Sequence, residues 1–159
     1  MGGVTDRTRE AILLCEAAGF DIIIIETVGV GQSETSVRNL VDFFLLLMLA
    51  GAGDELQGIK KGIMEMADAV VITKADGENL KQTNQAKADV QHALHIFSDS
   101  DSGWKPRVIT ASAHEKKGIK RNLGALYKNM LTSHKTVISL VKTEPNKIWS
   151  GFTNECSNF

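Results

Sequence analysis

Residues 21–34, "DIIIIETVGVGQSE", decide the fold, because a fully apolar run ends there in a carboxylate and a glycine-rich loop. The four isoleucines at 22–25 predict a strand that is buried on both faces of a parallel sheet. Glu26 stands where this strand ends, and Gly29 and Gly31 free the backbone just beyond it. The stretch therefore predicts a rigid strand that presents one acid beside a loop able to move.

The same pattern recurs along the rest of the chain. Apolar runs at 43–50, 69–73 and 107–110 predict three more strands, and each is followed by a polar or glycine-rich loop. Helical spacing of apolar residues lies between them, at 8–20, 55–67, 79–97 and 116–131, while 35–42 suits a helix or a turn. This alternation predicts an α/β fold with a mostly parallel, doubly wound sheet and flanking helices. Such sheets bind ligands beyond the carboxyl ends of their strands.

Composition narrows the class of protein. The 159 residues suit one domain, and a formal net charge of −1 gives no indication of a nucleic-acid or membrane-surface partner. Cys15 and Cys156 lie far apart without a Cys/His cluster, which argues against structural zinc and for a reducing compartment. The longest apolar run falls well short of the ~20 residues of a membrane span, and the N-terminus lacks a signal-peptide pattern. We expect a soluble intracellular chain.

The loop "TKADG" at 73–77 carries the first chemical signal. A guanine base presents two neighbouring donors, N1–H and its 2-amino group, and one carboxylate accepts both. Asp76 fits this role, with the aliphatic stem of Lys74 covering the face of the base. The usual form of the motif is Asn-Lys-x-Asp, and Thr73 occupies the asparagine position here. A plain turn that caps the next helix explains the same residues, and this alternative stays open.

Two further loops fall in the order that a guanine-nucleotide site requires. Ser112 and Ala113 follow the next strand, where a backbone N–H reaches the guanine O6; the start of a helix is the alternative explanation. Glu26, with glycine three residues later, has the form of a magnesium- and γ-phosphate-sensing element, in which the acid holds Mg²⁺ or orders the attacking water. A helix or turn cap is the alternative for Glu26. The occurrence of all three loops in this order favours a nucleotide site over three unrelated turns or caps.

One part of such a site is missing from the sequence. The pattern Gly-x-x-x-x-Gly-Lys-Ser/Thr, whose backbone N–H groups and lysine hold the β- and γ-phosphates, does not occur. Phosphate contacts supply strong charge-assisted hydrogen bonds, so we expect this chain alone to bind GTP weakly. We interpret the chain as the C-terminal part of a longer GTP-binding domain.

The residues now quoted resemble a known family. "ETVGVGQSE", "GAGDELQGIK", "VVITKADG" and "WKPRVITASA" are similar to the GTPases that accompany methylmalonyl-CoA mutase, which include a mitochondrial form and bacterial forms once described as transport-system ATPases. The resemblance runs from about residue 2 to residue 130. It implies a P-loop NTPase, G-protein-like fold, GTP/GDP and Mg²⁺ as ligands, and a homodimer that protects the mutase and gates its cobalamin loading. It also implies the mitochondrial matrix, or the cytoplasm for a bacterial source.

The resemblance also implies roles for particular residues. It places a switch next to Mg²⁺ and the γ-phosphate at 26–29, and a loop that couples the nucleotide to the mutase at 51–60. Three residues are implied in catalysis: Glu26, Gln57 and Lys60. Glu26 is also implied as the metal ligand. The residues implied in nucleotide binding are Thr27, Gly29, Thr73, Lys74, Asp76, Ser112 and Ala113.

The resemblance weakens toward the C-terminus. We divide the chain into residues 1–131, part of a G domain, and 132–159, a divergent extension that we interpret as a remnant of the family's helical dimerisation arm. Pro145 would interrupt a long helix there. Two other functions remain open: a partner-binding fragment without nucleotide turnover, and a related metal-insertion GTPase. The lack of a His/Cys cluster counts against the second.

Overall fold

The computed structural model describes residues 3–28, 33–50, 61–97, 106–118 and 136–142. Within these ranges helices and strands alternate, as the sequence predicts. The helices are α1 (Gly3–Ala17), α2 (Ser33–Arg38), α3 (Lys61–Met66) and α4 (Leu80–Phe97), with a 3₁₀ turn at Gly77–Asn79 before α4. The strands are β1 (Ile22–Val28), β2 (Phe43–Leu49), β3 (Ala69–Thr73), β4 (Arg107–Thr110) and β5 (Thr136–Lys142).

The five strands form one sheet in the order β1-β5-β2-β3-β4, and every pair in it is parallel. The predicted α/β class with a parallel sheet is confirmed, and so are the four predicted strands. The sequence predicts no strand after residue 112, so β5 is a new finding: it is an interior strand of the sheet, between β1 and β2. The predicted helix at 116–131 begins in a loop at 116–118 and otherwise lies outside the described residues.

Strand β2 shows why the sheet is buried. Its side chains alternate between two apolar clusters, one on each face, so six consecutive residues, 43–48, are buried. On one face Phe44, Leu46 and Met48 pack with residues of α3 and α4, of which Val90 is fully buried. Three residues that were predicted to face inward on α4 are buried, as expected: Ala86, Val90 and Leu94.

A glycine ends α1 and sets the start of β1. Gly19 has φ +88°, its N–H donates to the Glu16 carbonyl at 3.1 Å, and the Phe20 N–H donates to the Cys15 carbonyl at 3.2 Å. These two bonds are those of a Schellman motif, which favours glycine at the left-handed position. The chain therefore turns out of α1 directly into β1.

Twice in the sheet, an aspartate just before a strand makes two hydrogen bonds to one residue of the neighbouring strand. Asp42 precedes β2: its N–H donates to the Val137 carbonyl at 2.8 Å, and its Oδ2 accepts from the Val137 N–H at 2.7 Å. Asp68 precedes β3: its N–H donates to the Phe44 carbonyl at 2.9 Å, and its Oδ2 accepts from the Phe44 N–H at 2.7 Å. We call this arrangement the aspartate bracket. Each bracket satisfies two backbone groups at the start of a strand pair and sets its register.

The two brackets differ in their surroundings. Asp68 also accepts from the Arg38 guanidinium at 3.1 Å. Burial raises the pKa of the Asp68 carboxyl, while the Phe44 N–H and Arg38 act to lower it. Asp42 is exposed, although the Val137 residue that it brackets is buried.

In the described part of the chain, no helix combines the length and the apolar character that crossing a membrane requires.

The bracket at Asp42 gives a test of how β5 is held. We expect Asp42→Ala to lower the free energy of unfolding by about 1–3 kcal/mol, because the buried Val137 N–H loses its acceptor. Asp21→Ala is the matched control, since Asp21 is an exposed aspartate just before β1. Urea denaturation followed by circular dichroism measures both. Equal stability of the two variants would show that the bracket does not hold β5.

Candidate functional site

The ends of β3 and β4 are tied together by backbone hydrogen bonds. The Ala111 N–H donates to the Ile72 carbonyl at 2.9 Å, and the Ala75 N–H donates to the Ala111 carbonyl at 3.1 Å. These bonds continue the strand pairing past the last paired residues, Ile72 and Thr110. They bring the loop that follows β3 and the loop that follows β4 into contact at the carboxyl edge of the sheet.

At this contact the two residues predicted to read a guanine base meet. The Ser112 hydroxyl donates a short hydrogen bond to Oδ2 of Asp76 and accepts from the Glu115 N–H at 3.0 Å. Ser112 is fully buried, so its hydroxyl is fixed by these partners. Each carboxylate oxygen has two acceptor positions. Ser112 therefore orients the carboxylate of Asp76 and leaves both of its oxygens able to accept from a ligand.

Lys74 adopts an uncommon backbone conformation next to Asp76. Its φ is +57°, in the left-handed region that residues other than glycine rarely occupy, and its side chain is exposed. Such a conformation costs about 1–2 kcal/mol and persists only where surrounding contacts impose it. Here the bonds of Ala75 to Ala111 and of Ser112 to Asp76 supply those contacts.

Thr73 faces inward. Its hydroxyl donates to the Met48 carbonyl at 3.0 Å, and the residue is buried. This bond links the end of β3 to the end of β2, so the threonine at the predicted asparagine position connects two strand ends.

The loop after β4 closes on itself around Ser112. Two backbone bonds pair Ser112 with Lys117, at 2.9 and 3.1 Å, and Gly118 follows with φ +79°. A Cβ on Gly118 would lie 2.3 Å from the Thr110 carbonyl oxygen, so only glycine fits. Lys117 pairs with Glu115 at 2.5 Å, and this hydrogen bond raises the pKa of the Lys117 ammonium.

Gly118 is a positioning residue that cannot be identified from the sequence alone. The available signal is the glycine that closes "HEKKG", but a helix was predicted to pass through it. Gly118 approaches Thr110 closely because the loop contacts β4. The residues near Gly118 in the sequence do not predict this contact.

Two other predicted residues, Glu26 and Thr27, lie farther along the same edge. Glu26 is exposed and Thr27 is half-buried, at the carboxyl end of β1. Two strands, β5 and β2, separate β1 from β3, which corresponds to about 14 Å for three spacings of neighbouring strands. Gly29, Gln57 and Lys60 lie outside the described residues. Ala113 is half-buried beside Ser112.

The edge therefore has two centres with different chemistry. One, at Asp76 and Ser112, accepts hydrogen bonds and is held rigidly. The other, at Glu26 and Thr27, offers a solvent-accessible carboxylate and a hydroxyl. Over the ranges that the structure covers, no three His, Cys, Asp or Glu residues cluster as a metal site would require.

A family of known proteins matches most of the chain. The family described as "Methylmalonyl Co-A mutase-associated GTPase MeaB" matches residues 1–148. The chain belongs to the MeaB family. The resemblance noted in the sequence is thereby confirmed.

Relatives from bacteria and from animals are similar to the chain. GTPase ArgK of Escherichia coli K12 is 52% identical over 135 residues, which cover 84% of this chain and 41% of that protein. The mitochondrial methylmalonic aciduria type A homolog of Mus musculus is 53% identical over 119 residues, 75% of this chain and 29% of that one. The chain thus spans well under half of the curated relatives that it matches.

A solved structure agrees with the fold. The crystal structure of LAO/AO transport system kinase superposes with a TM-score of 0.71 at 49% identity, covering 82% of this chain and 42% of that one. The parallel α/β architecture is therefore shared with this relative.

Gly118 gives a test of how the Ser112 loop is positioned. We expect Gly118→Ala to lower the free energy of unfolding by about 2–5 kcal/mol, because the added Cβ meets the Thr110 carbonyl in a left-handed backbone. Thermal unfolding measured by calorimetry reports the change.

Gly62→Ala is the matched control. Gly62 lies within α3 with open space around its Cβ position, so alanine should be neutral or stabilise by about 0.5–1 kcal/mol. If Gly118→Ala is as stable as Gly62→Ala, the close approach to Thr110 does not constrain the loop.

Proposed function

We propose that the chain carries the base-reading side and the γ-phosphate-sensing side of the GTP site of a longer GTPase. The observation that carries this proposal is the hydrogen bond of Ser112 to Asp76. It joins the two loops that were predicted independently to contact a guanine base. A plain turn at 73–77 requires no such partner.

The base is read by three groups in this proposal. The Asp76 carboxylate accepts from N1–H and the 2-amino group, and Ser112 keeps that carboxylate in one orientation. The exposed Lys74 side chain covers the face of the base with its methylene groups. The Ala113 backbone N–H donates to O6. Thr73 acts indirectly, because its hydroxyl is engaged by Met48.

The phosphate end lies toward β1. Glu26 is an exposed oxygen ligand at the carboxyl end of the strand, which suits Mg²⁺, an ion that proteins hold through one or two carboxylates together with substrate phosphates. When bound, the ion would neutralise charge on the phosphates. Thr27 and Gly29 would contact the ion or the γ-phosphate, and Gln57 and Lys60 would respond to the nucleotide state. The strand spacing between β1 and β3 suits a ligand with base and terminal phosphate at opposite ends.

The cellular role follows the family name. We propose that the full-length protein uses GTP hydrolysis to assist cobalamin loading and protection of methylmalonyl-CoA mutase, acting as a homodimer. The support is the match to a mutase-associated GTPase family and to methylmalonic aciduria type A homologs. The compartment is the mitochondrial matrix, or the cytoplasm if the source is bacterial.

A second function is a partner-binding fragment without turnover. The absence of Gly-x-x-x-x-Gly-Lys-Ser/Thr from the sequence favours it for this chain by itself. Isothermal titration of GTP, GDP and ATP into this chain and into a version extended upstream separates the two. Guanine binding by the extended form alone supports the GTPase fragment, whereas adenine preference in that form contradicts the base-reading assignment.

Asp76→Asn tests the base contact directly. Asparagine offers one acceptor and one donor, which match N1–H and the 2-oxygen of xanthine instead of the two donors of guanine. In the extended form we expect GDP affinity to fall by at least about tenfold and xanthosine diphosphate affinity to rise.

Asp89→Asn is the control, because it makes the same chemical change on the exposed face of α4, where the Asp89 carboxylate accepts a hydrogen bond from Gln85 at 2.9 Å. It should leave both affinities unchanged. A parallel loss in both variants, or no gain for xanthine in Asp76→Asn, would contradict the role of Asp76.

A further inference from the structure

Two acidic residues and one lysine are grouped around the buried Ser112 hydroxyl. The hydroxyl donates to Oδ2 of Asp76 and accepts from the Glu115 N–H at 3.0 Å, so each acidic residue makes one hydrogen bond to it. The Lys117 ammonium in turn pairs with the Glu115 carboxylate at 2.5 Å. Of the three charged residues, only Asp76 takes part in the base contact proposed above.

The backbone places Lys117 on the same side of its loop as the Ser112 hydroxyl. Ser112 and Lys117 form a hydrogen-bonded antiparallel pair, in which each N–H donates to the other residue's carbonyl. The Cα atoms of such a pair are about 5.5 Å apart, and the side chains of directly opposed residues project to the same face. The Lys117 side chain therefore starts on the face where Ser112 meets Asp76.

Electrostatic interactions connect Lys117 to both acidic residues. The hydrogen bond with Glu115 is the largest cause that raises the pKa of the Lys117 ammonium, and the charges of Glu115 and then of Asp76 act in the same direction. The Lys117 side chain is 74% exposed, so water screens these interactions in the free protein. An exposed ion pair of this kind adds little to stability, so the effect of the lysine has to be sought in the state where a ligand covers the site.

A bound base changes the surroundings of this charged group. In the proposed function the base donates two hydrogen bonds to Asp76 and displaces water from its carboxylate. Removal of water raises the cost of keeping a carboxylate ionised and strengthens the interactions between nearby charges. The Glu115 carboxylate would add like-charge repulsion to that cost. Lys117 supplies an opposite charge, and its two backbone bonds to Ser112 keep it beside Asp76.

We propose that Lys117 is a positioning residue of the base site: its ammonium offsets the charge of Glu115 and stabilises the ionised, Ser112-bound carboxylate of Asp76 when a guanine base covers it. In this role Lys117 acts through its charge and not through contact with the base. The proposal rests on the proposed function and adds to it a residue that lies outside the predicted base-reading positions at 73–77 and 112–113.

Lys117→Met tests the role of the charge, because methionine keeps an unbranched side chain and removes the ammonium. In the version extended upstream, we expect GDP affinity, measured by isothermal titration calorimetry, to fall by about three- to tenfold. Lys117→Arg keeps the positive charge and should bind GDP within about twofold of the unsubstituted protein. Lys81→Met is the matched control: it removes the charge of an exposed lysine in the first turn of α4 and should leave GDP affinity unchanged.

The Asp76→Asn variant separates an effect of charge from an effect on loop structure. Asparagine at position 76 carries no charge, and this variant is expected to bind xanthosine diphosphate. Adding Lys117→Met to it should therefore leave the affinity for xanthosine diphosphate within about twofold, although the same change weakens GDP binding when Asp76 is present. A residue that only shaped the loop would lower both affinities alike. An equal loss in the two backgrounds overturns the proposal.

Ionic strength gives an independent measurement of the same role. Interactions between exposed charges weaken as salt is added. The ratio of the GDP affinities of the unsubstituted protein and Lys117→Met should therefore shrink between about 0.1 M and about 1 M potassium chloride. A ratio that stays constant over this range overturns a role that acts through charge.

The outcomes distinguish failure of this proposal from failure of the proposed function. If the extended protein binds no guanine nucleotide, the proposed function fails and the role of Lys117 fails with it. If the extended protein binds GDP and Asp76→Asn shifts its preference to xanthine, the proposed function stands. In that case, a Lys117→Met variant that binds GDP as tightly as the unsubstituted protein overturns the role of Lys117 alone.

Discussion

The insertion of β5 between β1 and β2 is the contact on which the rest of the sheet depends. Along one side β5 pairs with β1 over seven residues, and along the other it pairs with β2 over five. Without it, the α1–β1 unit would have no sheet neighbour among the described strands. The Asp42 bracket on Val137 fixes where β5 begins, and through it where β1 lies. The separation of Glu26 from Asp76 along the carboxyl edge is therefore decided by one strand near the C-terminus.

The two centres on that edge are built differently. Around Asp76 three residues are held by specific contacts: Ser112 by the carboxylate and by the Glu115 N–H, Thr73 by the Met48 carbonyl, and Gly118 by its approach to Thr110. Such preorganisation suits recognition of a flat base, because a ligand then orders no protein groups as it binds. Glu26 is exposed at a strand end that leads into a glycine-rich sequence. In the proposed GTP site, a rigid base-reading side together with an exposed carboxylate at the phosphate side would suit a nucleotide-dependent switch.

Much of this arrangement could be predicted from the sequence, because its signals are local. Apolar runs predicted β1 to β4, and the spacing of Ala86, Val90 and Leu94 predicted the buried side of α4. Residues 73–77 and 112–113 were predicted to share a site, since the carboxyl ends of parallel strands meet at one edge. Other features could not be predicted, because they arise from contacts between segments that are distant in the sequence. They are the inward hydroxyl of Thr73, the left-handed backbone of Lys74 and the need for glycine at position 118.

The sequence by itself determined which segments are strands, which loops carry acids and hydroxyls, and to which family the chain is similar. Side-chain pattern and turn chemistry act over a few residues, so they can be read along the chain. Only the tertiary structure decided the order of the strands: β5 lies between β1 and β2, and β1, with its isoleucines, is the first of the described strands. The physical reason is that backbone hydrogen bonds between parallel strands are the same for any sequence. Neighbours are chosen by long-range burial and by specific contacts such as the aspartate brackets.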